Sequence, residues 1–214
     1  MHTKSFFFSL LATIAILSSC GGSSEQKNDE VTLYPVESTQ SDESKNGEFF
    51  YISNQQNLSL AEIRKKDNEL AVKIGSDTYF GEKKRDDKRK YFDQNNKFRY
   101  AVKYKDDAFK LRDSNEQLLW KVKIKEGKIS IANNEEMTNP FTVRYYDEGR
   151  IKVEEGDKEI NSIRFDRSAD FINVGTNYNL RNFNNSFAAG VLMLPKISDT
   201  EKYLICAELV NMGK

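Results

Sequence analysis

Few residues in this chain are able to do covalent chemistry, and their neighbours account for most of those. The single histidine is His2, ahead of an apolar run, so the body of the chain offers no imidazole as general base or metal ligand. A Ser-His-Asp triad and a histidine-based zinc site are excluded there. Cys206 stands between Ile205 and Ala207, a setting in which a thiol is buried and inert. Asp86-Asp87, Asp106-Asp107 and Glu135-Glu136 are paired carboxylates, the residue type for acid–base work. Each pair falls where the chain has to turn, however, and turn geometry alone favours acids there. These features predict no enzyme, no cofactor and no metal.

The chemistry that remains is charge. Lys83, Lys84 and Arg85, then Lys88, Arg89 and Lys90, flank Asp86-Asp87 and form the densest basic cluster. Anionic headgroups, including the phosphates of lipopolysaccharide, are the ligands such a cluster fits. Outward lysines also keep an exposed strand from aggregating, which is the plainer reading of the same residues. Over the whole chain 33 Lys and Arg balance 33 Asp and Glu, and this balance argues against nucleic acid as a partner.

These side chains are carried on strands. Phe98, Tyr100, Val102 and Tyr104 alternate with charged residues, as do Leu118, Trp120, Val122 and Ile124 against Lys121 and Lys123, and Phe141, Val143 and Tyr145 against Thr142 and Arg144. Period two repeated over many segments predicts half-buried antiparallel strands, with Trp120 in the core. The turns recur too: Glu126-Gly127-Lys128-Ile129 is echoed by Glu148-Gly149-Arg150-Ile151. On that register the chain falls into four hairpin units, Lys90 to Asp107, Ala108 to Gly127, Lys128 to Gly149 and Arg150 to Ser168, each a short strand, a polar turn and a longer strand. Strands at Leu58–Arg64, Leu70–Ile74, Thr78–Lys83 and Phe171–Val174 bring the total to about twelve, enough that the sheet must close on itself to hide its edges.

A closed sheet needs contents, and the last stretch supplies them. Ser198 with Glu201 three residues on starts a helix, and Gly213 stops it. Tyr203 to Ala207 run without a polar break and Leu209, Val210 and Met212 follow, so apolar side chains point in every direction and need cover on all sides. The expected fold is mostly β: a closed antiparallel barrel of about twelve strands around a C-terminal hydrophobic α-helix, occupying 48–214. Phe187 to Leu194 forms either a second short helix started by Ser186 or an extended lead-in, ended by Pro195.

Residues 1–19 have the positive head, apolar run and small-residue end of a secretory signal. Leu17-Ser18-Ser19-Cys20 resembles the lipobox of bacterial lipoproteins, which implies cleavage before Cys20, lipidation of its sulfur and a membrane anchor. Residues 20–47 are polar, acidic and poor in large apolar groups, a flexible tether. The address implied is the bacterial cell envelope, lipid-anchored by palmitate-type chains; with Gly21 and Gly22 rather than an aspartate after the anchor, it is the outer membrane.

The lysine-rich hairpins KYKDDAFKLRDSNEQLLWKVKIKEGKISI, followed by FAAGVLMLPKISDTEKYLICAELV, resemble the tubby-like and LURP-one-related group. That resemblance implies a twelve-stranded barrel threaded by a central helix, and it carries over no functional residue. Two functions are expected: a non-enzymatic, lipid-anchored envelope module that contacts an envelope protein or an anionic headgroup through its exterior, or a lipocalin-like carrier of a small apolar ligand. What occupies the interior separates them.

Overall fold

The computed structural model describes residues 47–146, 149–164, 171–174, 177–183 and 186–214. The signal, Cys20 and all but the last residue of the tether lie outside the described residues, as do Glu148 and Ser168 of the last two repeat units. Fourteen strands and two helices follow one another: β1 (Glu48–Ser53), β2 (Ser59–Lys66), β3 (Glu69–Ile74), β4 (Asp77–Arg85), β5 (Lys88–Phe92), β6 (Phe98–Lys105), β7 (Ala108–Asp113), β8 (Leu118–Lys125), β9 (Lys128–Ala132), β10 (Phe141–Tyr146), β11 (Arg150–Glu155), β12 (Lys158–Arg164), β13 (Phe171–Val174), β14 (Tyr178–Arg181), α1 (Ala188–Leu192) and α2 (Asp199–Asn211). Strands β1 to β12 each pair with their chain neighbours, and β14 returns to lie between β1 and β13. The result is a nearly closed antiparallel barrel: its end strands β12 and β13 are not joined to each other by a ladder among the described residues.

Against an expected count of about twelve the described residues form fourteen, and the two further strands, β1 and β14, pair with each other. Neither carries a clean alternation. In β1, Phe49, Phe50 and Tyr51 put aromatic rings on both faces, and β14 is only four residues long.

Two kinds of turn recur among the hairpins. At one end of the barrel Asn54, Asp93 and Asp113 each open a five-residue loop, and the side-chain oxygen of each accepts from the backbone N–H groups two and four residues on. The fourth residue of each loop, Asn57, Asn96 or Glu116, takes a positive φ of 58 to 63°. At the other end the β4–β5, β6–β7 and β8–β9 turns are two residues long. There the Asp87, Asp107 and Gly127 carbonyls accept from the N–H of Tyr104, Ile124 and Tyr145, two strands further along.

Each five-residue loop is followed by a register shift that skips Leu60, Arg99 or Leu119. An extra residue reverses the facing of everything before it. Phe98, expected inside with Tyr100, therefore sits outside: its ring lies 6.0 Å from that of Phe92 and 4.8 Å from Lys90 Nζ. Leu118, likewise expected on the face of Trp120, lies opposite Arg112, while Leu119 packs toward the core.

The core is α2. Its side chains from Lys202 to Val210 are all buried, and the run from Leu204 to Leu209 is 0% exposed. Ser198 Oγ accepts from the Glu201 N–H at 3.4 Å, and Gly213 closes the helix with φ +68°. The Glu201 carboxylate accepts from the Trp120 indole at 2.7 Å, pinning the first turn of α2 to β8. Helix α1 lies alongside, its first turn held by Ser186 Oγ, which accepts from the Ala188 N–H at 3.1 Å. At Gly190 a Cβ would stand 2.2 Å from Val143 Cγ1 and 3.1 Å from Ile151 Cγ2, so α1 rests on β10 and β11 through a bare backbone.

Two substitutions test this packing by urea denaturation. Gly190→Ala is expected to cost about 1–3 kcal/mol by overpacking. Leu204→Asp, which puts an unpaired charge into hydrocarbon, is expected to abolish cooperative folding altogether.

Candidate functional site

The basic cluster adjacent in sequence does not form one open patch. Strand β5 alternates, so Lys88, Lys90 and Phe92 face out while Arg89 and Tyr91 face in; Arg89 is 2% exposed. Arg89 as a contact for an anionic surface is therefore corrected. Its guanidinium donates to the Asn68 carbonyl at 2.7 Å, the Gly81 carbonyl at 3.0 Å and the Tyr104 hydroxyl at 3.1 Å, and it lies 3.4 Å from the Glu208 carboxylate. Glu208 accepts from the Tyr91 hydroxyl at 2.7 Å and the Tyr104 hydroxyl at 2.5 Å.

Burial pushes the Glu208 carboxyl up from the ordinary glutamate range, against the pull of Arg89 and the two tyrosines. The cluster keys one turn of α2 to strands β5 and β6. Arg89, Tyr91 and Glu208 are buried, while Tyr104 is half-buried and reaches the surface. Glu208 within the apolar stretch from Tyr203 to Val210 is the signal for this cluster, because a buried carboxylate requires a buried cation or donors. Cys206 is likewise sealed: its sulfur is 3.7 Å from the Ala188 carbonyl, and burial raises the thiol well above its ordinary value.

Of the remaining cluster residues, Lys83 pairs with Asp86 at 2.9 Å, Arg85 with Asp87 at 3.2 Å and Lys84 with Glu82, and Lys90 lies over the Phe98 ring. The acids between and beside the two basic triplets thus neutralise much of the charge seen in sequence. Lys88 belongs to a different arrangement. Arg85, Lys88, Lys103, Lys110 and Lys121 stand directly opposite one another on β4, β5, β6, β7 and β8. Like charges facing each other across strands about 4.8 Å apart are unfavourable.

Two loop glutamates relieve that repulsion. Glu116, the positive-φ residue of the β7–β8 loop, lies 2.7 Å from Lys88 and 3.5 Å from Lys103. Glu135, in the β9–β10 connection, lies 2.6 Å from Lys110, 3.1 Å from Arg112 and 3.6 Å from Lys121. The bonds from Lys88 and Lys110 lead the causes that hold these carboxyls below their ordinary values. Beside the row is a groove of about 740 Å³, with seven lysines and arginines and three aspartates in its lining. Lys105, Lys123 and Lys125 have no ion-pair partner there among the described residues. Sequence spacing missed this site because its members are neighbours across the sheet rather than along the chain.

No protein-family model matches the chain, and comparisons with curated proteins and with solved structures give no match.

The interior cluster makes two measurable claims. Arg89→Ala is expected to cost about 3 kcal/mol, and the double variant Arg89→Ala/Glu208→Gln less than the sum of its parts in a double-mutant cycle. Since the folded-state pKa of Glu208 is raised, the folded chain holds its proton more tightly than the unfolded chain does. Its contribution to stability is full below the ordinary glutamate pKa and is lost as pH rises through the raised value. Wild-type minus Glu208→Gln stability should fall across that window.

Proposed function

We propose that the chain is a non-enzymatic, lipid-anchored module of the bacterial cell envelope that works through the outside of its barrel. The observation that carries this is the burial of α2 on all faces. A helix about 10 Å across with its side chains takes up the space that a carried lipid would need. That leaves the exterior, where the cation row lies, as the surface for an anionic partner, either a headgroup or an envelope protein. The resemblance to the tubby-like and LURP-one-related group is compatible with a helix enclosed by antiparallel strands, though fourteen strands in place of twelve weakens a close correspondence. The lipobox-like Leu17 to Cys20 supports outer-membrane anchoring.

Native mass spectrometry and solvent extraction of the protein from its own host should show the anchor lipid and no stoichiometric small molecule besides; a second lipid bound one per chain would favour the carrier instead. Cys20→Ser should eliminate palmitate labelling and move the protein out of the membrane fraction. Labelling that persists in the mutant would rule out the lipobox.

A further inference from the structure

The cation row and the two glutamates seated on it define a ligand more narrowly than net charge does. The row crosses five consecutive strands along the hydrogen-bonding direction, with one basic side chain per strand, about 4.8 Å apart. Four strand steps around a fourteen-strand wall turn the surface through about 100°. Arg85 and Lys121 therefore point in directions too divergent for a flat bilayer to meet both, whereas a flexible chain can follow the curve.

The strand spacing is close to the length of one sugar unit in an extended glycan, so a polymer with one carboxylate per sugar would set a charge against each strand. The same outer face also carries an aromatic row. Phe80, Phe92 and Phe98 are opposite one another on β4, β5 and β6, and Phe80 is 44% exposed. These rings stand four to five residues along their strands from Arg85, Lys88 and Lys103, about 13–17 Å away, and so lie outside the cation row.

We infer that the row is a track for a linear acidic polysaccharide laid across the strands, and that Glu116 and Glu135 occupy its carboxylate positions while it is absent. Each glutamate bridges cations on neighbouring strands from a loop rather than from the sheet, as an exchangeable occupant would. The polymer's carboxylates replace the two glutamates, which swing into solvent, and Lys105, Lys123 and Lys125 beside the row extend the positive surface. This rests on the reading of the exterior as the working surface.

The test uses the full chain in non-ionic detergent, with polygalacturonate as ligand and dextran as the neutral control. Polygalacturonate should bind and dextran should not, with binding lost progressively as salt is raised. Lys110→Gln/Lys121→Gln should raise Kd about tenfold or more, in the range expected for lost charge-assisted contacts. Glu116→Gln/Glu135→Gln should lower Kd several-fold, because the internal competitor is gone. If the glutamates are only structural, that variant would lose Tm while its Kd stayed level or rose, and the inference would fall. Micelles doped with phosphatidylglycerol, and single-stranded DNA, serve as competing probes. Binding of either through the same lysines without binding of polygalacturonate would overturn the polysaccharide assignment and leave the exterior reading standing. Binding of none of the three would overturn the polysaccharide assignment and leave a protein as the exterior partner.

Discussion

A helix with no polar face sets the terms for this structure. Leu204 to Leu209 leave no side of α2 that water can occupy, so the wall around it has to be continuous, and here a curved, many-stranded sheet supplies it. The few polar groups on the helix are tied to that wall. Glu201 takes the Trp120 indole at the first turn, and Glu208 takes Arg89, Tyr91 and Tyr104 further along. Apolar contact is tolerant of sliding and rotation. These two polar fixings are not, and they assign α2 one depth and one rotation within the barrel.

Much of the wall was legible because its rule is local. Alternation in β6, β8 and β10 and the repeated turns follow from neighbours in sequence, and the strand boundaries came within a few residues. What was not legible depends on counting residues across strands. Phe98 and Leu118 have the right chemistry for the core, and a single skipped residue after each Asx loop places them outside. Arg89 looked like one of six surface cations; that it faces inward depends on the parity of a five-residue strand and on a glutamate more than a hundred positions away. The lysine row was invisible for the same reason, since lateral neighbours on a meander are separated by the length of a hairpin.

Interior and exterior solve opposite electrostatic problems. Inside, one carboxylate and one guanidinium are taken from water, and their loss is offset by hydrogen bonds to two tyrosines and two backbone carbonyls. Outside, cations are stacked against the preference of a sheet for opposed charges, and loop glutamates supply the relief from above. Elsewhere on the wall acids stand within the strands opposite lysines, as Glu62 does opposite Lys73 and Glu82 opposite Lys90. The row from Arg85 to Lys121 has no such acid in line, and Glu116 and Glu135 reach it from loops.

The position of α2 after all fourteen strands governs the order of assembly. A meander can form hairpin by hairpin, yet each hairpin lacks the surface its inner side chains pack against until α2 is in place. Before then the wall is an open sheet with one apolar face and two free edges, the arrangement most prone to join with other chains. The lysines on the outer face and the four-residue end strand β13 then act as safeguards during assembly. They keep an unfinished wall apart from its neighbours for as long as its centre is missing.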